Sequence, residues 1–510
     1  MSQSPEPIHG VAAPAATSQR ARWAIVFCLL LLSFFYALSD RGAVGGELSV
    51  RWLAEAVWRD HTLTVNRFDD LGVLDDYAQV GANKYVLWPP GPAFFGLPLY
   101  VAGQFAAGNA EPTKADRFGG WPSRAMQLFF CISAALAVVL LFAVCREMGI
   151  SALLGGAIAA LFALGYKTWP YAATYNRHLP TAMLVLAAIY FGLRSRRNPD
   201  DARALIGLAL GAGLLPLFDY SAGLAIPALL PLGWPALAAA GRRPRRLIGA
   251  SLAFLVGAVA LGAYNWACFG APWVTSYAHS AQHEWARTFA GTFNGNPFEG
   301  LRFLLLNRGT IPEPIVLRTG FPEKFLEFYR RQTFEGLLPY APYLWLAIPG
   351  FLAGLYLPKS RRIFIWLLLA LLPTMLLMGA HRTLFGGLGL DTRYFYHVTP
   401  ILFLAAAFFL NEARARIPAR RTFWTALLAL GVLLFGIRPL LQNIRQIVSI
   451  TVKMREICPA VLPGPDLVRA VFPNLPYAGL TFFFLAIFWS CFLLAWEIAA
   501  GGSTFRRTGA

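Results

Sequence analysis

The chain has 510 residues, 57% of them hydrophobic and 14% charged, with mean hydropathy +0.52. Soluble domains carry roughly a quarter charged residues, so most of this chain cannot face water. The formal charge of +18 is broken into short clusters between apolar runs: Arg194/Arg196/Arg197, Arg242/Arg243/Arg245/Arg246, Lys359/Arg361/Arg362 and Arg414/Arg416/Arg420/Arg421. That is the positive-inside pattern of cytoplasmic loops. It lacks the continuous basic face with aromatic platforms that nucleic acid requires.

Residues 1–22 read as a disordered cytoplasmic tail, rich in Ala, Pro and Ser near its start. The run Trp23–Leu38 follows Arg20 and Arg22 and reads as an uncleaved signal anchor. A cleaved signal peptide is the rival, because Ala37 and Ser39 are small residues at a suitable distance. Further apolar runs lie near 125–145, 153–172, 179–194, 203–218, 222–240, 247–267, 338–356, 363–379, 394–410, 422–437 and 476–498. The expected fold class is an all-α polytopic membrane protein of about 12 transmembrane helices (roughly 11–13), with both ends inside. The apolar segment 87–107 carries Pro89, Pro90, Pro92 and Pro98. A crossing there would put the later basic clusters outside, so it is expected to be interfacial or re-entrant.

This threading predicts a first outer loop at 40–124, a second at 268–337, and a third at 438–475 before the last helix and a short cytoplasmic tail. Residues 23–437 would form the catalytic module and 438–510 the remainder. The first loop holds Asp40, Glu47, Glu55, Asp60, Asp69, Asp70, Asp75 and Asp76, and a solvated loop explains Asp69 through Asp76. Asp40 follows the first membrane run directly. Glu47 opens LSVRWLAEAVW, where Leu48, Trp52 and Ala56 share one face of a helix, as expected of an amphipathic juxtamembrane helix on the outer face. A carboxylate at that level has a pKa open to tuning. Lys84, at the edge of KYVLWPPGPAFFGLPLY, could meet a phosphate or simply snorkel to the interface.

Three clusters fall at helix ends: YNRHLP (175–180) with Arg177 and His178, FDYSAG (218–223) with Asp219, and LDTRYFYH (390–397) with Asp391, Arg393 and His397. An ionisable residue between apolar runs is a functional candidate, and paired arginines can clamp a phosphate. Structural pairs and aromatic-belt anchoring explain the same residues equally well. His279 and His283 are four apart but lack an evident third ligand. No Walker, GxGxxG or GxSxG motif is present. The sequence requires no cofactor, and a divalent metal is possible but not indicated. Cys28, Cys131, Cys145 and Cys491 lie in apolar runs, where a small buried hydrophobe is the default.

Taken in order, GGEL, KYVLWPPGPAFFGLPLY, YNRHLP, YNWACFGAPWVTSYAH (264–279), EGLLPYAPYLWLAIPG (335–350) and DTRYFYHVTPILFL (391–404) resemble motifs of the C-type (GT-C) glycosyltransferases. That family includes protein O-mannosyltransferases and lipid A aminoarabinose transferases, and the resemblance spans most of 23–410. It implies a hexosyl- or pentosyltransferase, with inversion expected, moving a sugar from a polyprenyl-phosphate donor to a lipid, glycan or protein acceptor. The active face would be extracytoplasmic, on a bacterial inner membrane. By the same resemblance, Glu47 stands where the family has its catalytic carboxylate, with Asp40 as the second choice. Lys84 and Arg393 correspond to phosphate-side cations. The sequence departs from the family pattern in having a lone Glu47 after two glycines and four residues between Lys84 and Pro89. The main rival is a transporter or flippase of a lipid-linked or amphipathic substrate, which predicts half-to-half repeats with helices broken at the midplane. A non-catalytic scaffold is the other rival, and it would have no use for converging carboxylate and cations.

Overall fold

The structure, a computed structural model, describes residues 31, 48–68, 76–108, 121–172, 174–241, 243–321, 323–384, 392–416, 430–431, 434 and 436–442. The first and last expected crossings therefore lie outside the described residues, as does most of 422–437. Among the described residues, four helices are long and apolar enough to cross a membrane: Pro122–Glu147, Tyr220–Ala240, Pro244–Phe269 and Pro358–Ala380. Shorter apolar helices run beside them.

The first helix with described bounds is α1 (Leu48–Glu55). The expected helix is there, but its environment differs from the expectation. All eight residues are buried, including Arg51 and Glu55, so it is not a half-wet amphipathic helix. Trp52 stacks on Phe68 with ring centroids 4.4 Å apart, and Gln104 and Tyr100 of the next helix lie against the polar side.

A hairpin follows, and the fold is therefore not purely helical. Strands β1 (Tyr77–Val80) and β2 (Asn83–Val86) pair antiparallel around Gly81, whose φ of +60° suits the tight two-residue turn. The second expected outer loop docks on the free edge of β1, where Ala281 donates its N–H to the Tyr77 carbonyl at 3.1 Å. A second hairpin, β3 (Arg308–Thr310) with β4 (Thr333–Glu335), lies within that loop's own span.

The proline-rich segment forms α2 (Gly91–Ala106). Pro92 fits its first turn, where a missing N–H costs nothing. Gly91 is needed for packing, because a methyl there would strike the Leu217 carbonyl. That contact brings the start of α2 to the end of α6. Helices α3 (Trp121–Glu147), α4 (Ala152–Leu164), α5 (His178–Arg197), α6 (Ala202–Phe218), the kinked α7 (Tyr220–Ala240) and α8 (Pro244–Phe269) follow. Helices α6 and α8 approach closely at glycines on both sides. A methyl at Gly213 would meet the Phe254 carbonyl, and one at Gly257 would meet the Gly213 carbonyl. Small residues give this contact to helices in lipid, where the hydrophobic effect cannot drive association.

The second half adds α9 (Pro297–Leu306), α10 (Pro342–Tyr356), α11 (Pro358–Ala380) and α12 (Pro400–Ala415). A tyrosine core locks the two halves together. Tyr166 stacks on Tyr396 at 5.6 Å, Thr168 Oγ1 and the Tyr396 hydroxyl are 2.7 Å apart, and Tyr343 donates to the Gly165 carbonyl at 2.8 Å. This fixes the turn before α12, on which two of the site residues sit.

Candidate functional site

Four residues selected from sequence come together where several helices end. Arg177 immediately precedes α5 and His178 opens it. Asp219 lies in the break between α6 and α7. Arg393 opens the 3-10 turn Arg393–Val398 that leads into α12, close enough to Arg177 for their charges to interact. His397, from that same turn, joins them.

Local chemistry explains each placement. Helix α6 contains Pro216 in its last turn and stops at Asp219, whose backbone is extended (φ −154°, ψ 119°). Asp219 then caps the following turn: Oδ1 accepts from the Ser221 N–H at 3.0 Å and from the Ser221 hydroxyl at 2.7 Å. The other oxygen, Oδ2, lies 2.7 Å from His178 Nδ1 and 3.7 Å from Arg177 Nε. At the start of α5, Asn176 Oδ1 accepts from the His178 N–H at 3.0 Å and fixes the helix entry.

Aromatic rings wall this cluster. The Arg177 guanidinium sits 4.2 Å from the centroid of Trp88, and its Nη2 donates to the Tyr277 hydroxyl at 3.4 Å. Trp88 precedes the rigid Pro89–Pro90 step. The Ser276 hydroxyl donates to the Leu87 carbonyl at 2.5 Å, pinning the Tyr277 turn to the Trp88 strand end. Tyr394 packs edge-on against His178, and the His178 and His397 rings stack at 6.3 Å.

The site is buried yet incompletely paired. Arg177, His178 and Asp219 are 7%, 4% and 5% exposed, and His397 is 0% exposed. Burial raises the Asp219 pKa, but His178, Arg177 and His397 together outweigh it and hold the carboxyl below the usual range. Arg177 Nε and Nη1, His178 Nδ1, Asp219 Oδ2 and both ring nitrogens of His397 have no aligned hydrogen-bond partner among the described residues. The His178–Asp219 approach is thus close in distance but misdirected as a hydrogen bond. Native interiors leave few such groups, and here several of them are concentrated in one cluster.

The other selected residues fall elsewhere. Lys84 lies on β2 with its ammonium 4.8 Å from the Tyr77 ring. Glu47, Asp40 and Asp391 lie outside the described residues, as do Asp69, Asp70 and Asp75. His279 and His283 sit in separate stretches despite their spacing: His279 stacks on Phe269, while His283 Nε2 is 3.3 Å from Asp76 Oδ1. Sequence reasoning missed Trp88 and Tyr277, although both lie in quoted motifs. It also counted Glu55 with the loop acids. Glu55 is 0% exposed, 3.8 Å from Arg51 and 4.0 Å from Arg59, and burial raises its pKa.

No protein-family model and no curated protein sequence matches the chain. Solved structures similar to it include ArnT from Cupriavidus metallidurans bound to undecaprenyl phosphate. That pair has 14% identity and a TM-score of 0.44 over 90% of this chain and 74% of the other. The same protein in its apo state gives 13% identity and a TM-score of 0.41, covering 89% and 68%. The Archaeoglobus fulgidus oligosaccharyltransferase, tethered with an acceptor peptide, gives 12% identity and a TM-score of 0.44, covering 87% and 58%. Both proteins are GT-C glycosyltransferases, the family that the sequence motifs resemble.

Proposed function

We propose that the chain is a GT-C-type membrane glycosyltransferase that moves a sugar from a polyprenyl-phosphate donor to an acceptor hydroxyl outside the cytoplasm. The observation that carries this reading is Arg177: a buried guanidinium, pressed on Trp88, with two of its nitrogens lacking a hydrogen-bond partner among the described residues and Arg393 within electrostatic range. A cation held this way fits a phosphate that must lose its sugar in a low-dielectric place.

The chemistry asks for three things. The acceptor oxygen attacks the anomeric carbon as the bond from that carbon to the phosphate oxygen breaks. The phosphate leaves with an added charge, which Arg177 and Arg393 stabilise, so no nucleotide is needed to activate the donor. The acceptor proton passes to a carboxylate, with Glu47 first and Asp40 second. Asp219 is poorly suited to that role, because Ser221 occupies one of its oxygens and the Arg177 cation, 3.7 Å from the other, favours the ionised form and weakens it as a base. Its part is to hold Arg177 and His178 in position.

The test uses radiolabelled polyprenyl-phosphate sugars with membranes containing the wild type, Glu47→Gln, Asp40→Asn and Arg177→Lys. Transfer by the wild type, abolished in one carboxylate variant and reduced in Arg177→Lys, supports the reading. Full transfer by both carboxylate variants would overturn the base assignment. Flux of the intact lipid-linked sugar without transfer would overturn the enzyme reading in favour of a transporter.

A further inference from the structure

We infer that His178, Asp219 and His397 form a binding site for one first-row divalent transition-metal ion of the zinc class. One ligand atom from each residue lies within 4.8 Å of the other two, and all three side chains are buried. The donor set is two imidazoles and one carboxylate. Imidazole favours zinc, cobalt, iron and copper, whereas magnesium and calcium favour oxygen ligands alone.

A second observation, independent of that proximity, points to a ligand. His397 is 0% exposed, and neither of its ring nitrogens has a hydrogen-bond partner among the described residues. A buried imidazole normally satisfies both nitrogens, since leaving a buried polar atom unpaired costs about 1–3 kcal/mol. His178 Nδ1 and Asp219 Oδ2, 2.7 Å apart but misaligned, also lack a directed hydrogen bond, as do Nε and Nη1 of the neighbouring Arg177. A cation accepting a lone pair from each group would pair Asp219 Oδ2, His178 Nδ1 and one ring nitrogen of His397 at once. A hydrogen-bond network among them would need a better-directed N–H.

Geometry and charge set the conditions. Metal–ligand bonds of about 2.0–2.2 Å put tetrahedral ligands roughly 3.4 Å apart, so the 2.7 Å His178–Asp219 approach must open by about 0.7 Å and the widest separation, within 4.8 Å, must close by at most about 1.4 Å. Rotation about the side-chain bonds of His397 is the simplest way to do that. Asp219 Oδ1 stays fixed by Ser221 and orients the carboxylate as a supporting contact should. Three protein ligands leave a fourth position open. Arg177 competes for the same carboxylate from 3.7 Å, so the bound ion leaves an excess of positive charge. An anion at the open position would offset it. This inference goes beyond the transfer reaction, and its ligand argument stands without it.

The experiment uses the full chain, purified in detergent, stripped with a chelator and titrated with cobalt(II). The expected result is one equivalent bound with the intense visible absorption of a low-coordinate cobalt site, displaced by one equivalent of zinc. His397→Gln and His178→Gln should each abolish that band, while His279→Ala with His283→Ala should leave it unchanged. Unfolding midpoints measured in chelator show which variants are folded. The wild type should also unfold at higher temperature with zinc than with chelator. Absence of a one-equivalent band in the wild type would overturn the inference. So would a band that survives in folded His397→Gln and His178→Gln, or one lost with His279 and His283. The readout is a ligand-field spectrum, so its failure leaves the glycosyltransferase reading standing.

Discussion

Replacing Arg177 separates two jobs that its surroundings give it. Arg177→Met removes a charge 3.7 Å from the Asp219 carboxylate and a guanidinium 4.2 Å from the Trp88 ring. Breaking a buried pair on one side costs about 3–5 kcal/mol. Here the loss should fall near the lower end, about 3 kcal/mol, because Ser221 still donates twice to Asp219. The second job concerns phosphate. A charge-assisted hydrogen bond contributes about 1.5–3 kcal/mol, which is roughly a 10- to 150-fold change in dissociation constant. Arg177→Lys keeps the charge facing Asp219 but loses the two-pronged fork. It should stay folded and bind phosphate roughly 10-fold more weakly, at the lower end of that range. The assay is equilibrium binding of undecaprenyl phosphate to purified protein, paired with a thermal unfolding curve. Wild-type affinity in a folded Arg177→Lys or Arg177→Met protein would refute the assignment of Arg177 to the phosphate.

Two further expectations concern stability. Gly257→Leu should destabilise the contact between α6 and α8 by about 1–3 kcal/mol, because any side chain there meets the Gly213 carbonyl; an unchanged unfolding midpoint in detergent would contradict that packing. Glu55 has a folded pKa raised by burial above its ordinary 4.5, so the folded state binds more protons than the unfolded one. Its contribution to stability is then greatest below 4.5 and falls as pH rises through the shifted value. Glu55→Gln should remove that falling slope when unfolding midpoints of the two proteins are compared across pH, and identical slopes would contradict the burial effect.

Sequence made much of the site legible, for a physical reason. Arg177, His178, Asp219 and Arg393 are ionisable residues at the ends of apolar runs, where burial is expensive and the residue types stand out. Trp88 and Tyr277 did not stand out, because aromatic residues are frequent at membrane interfaces for other reasons. Their role depends on the long-range hydrogen bond from Ser276 to Leu87, which no local pattern encodes. The triad of His178, Asp219 and His397 was hidden in the same way: its members come from three distant segments, and spacing rules find ligands only when they are near in sequence. Glu55 was misjudged because helical periodicity marks an apolar face without saying what covers the polar one. Here α2 covers it, with Gln104 accepting from Arg59 at 2.6 Å. The hairpin at 77–86 was missed because the segment reads as a polar loop, although Gly81 gives the turn.

The convergence of these residues follows from the way helices end in a membrane. Backbone polar groups without partners cannot face hydrocarbon, so helix breaks gather where protein or water can satisfy them. Helix α5 begins at His178, and the turn that leads into α12 begins at Arg393. Asp219 closes α6 and caps the turn that begins α7. The starts of α5 and of these two turns therefore lie among the site residues, and two of them are capped by side chains, Asn176 at His178 and Asp219 at Ser221. Adding two arginines there builds a demand for negative charge that a single aspartate, with its capping bonds already made, does not meet. Under the proposed function, the anionic headgroup of a lipid-linked donor would meet it. On that reading the same demand requires the base to stand apart from this cluster, because a carboxylate placed among these cations would pair with them and lose its basicity.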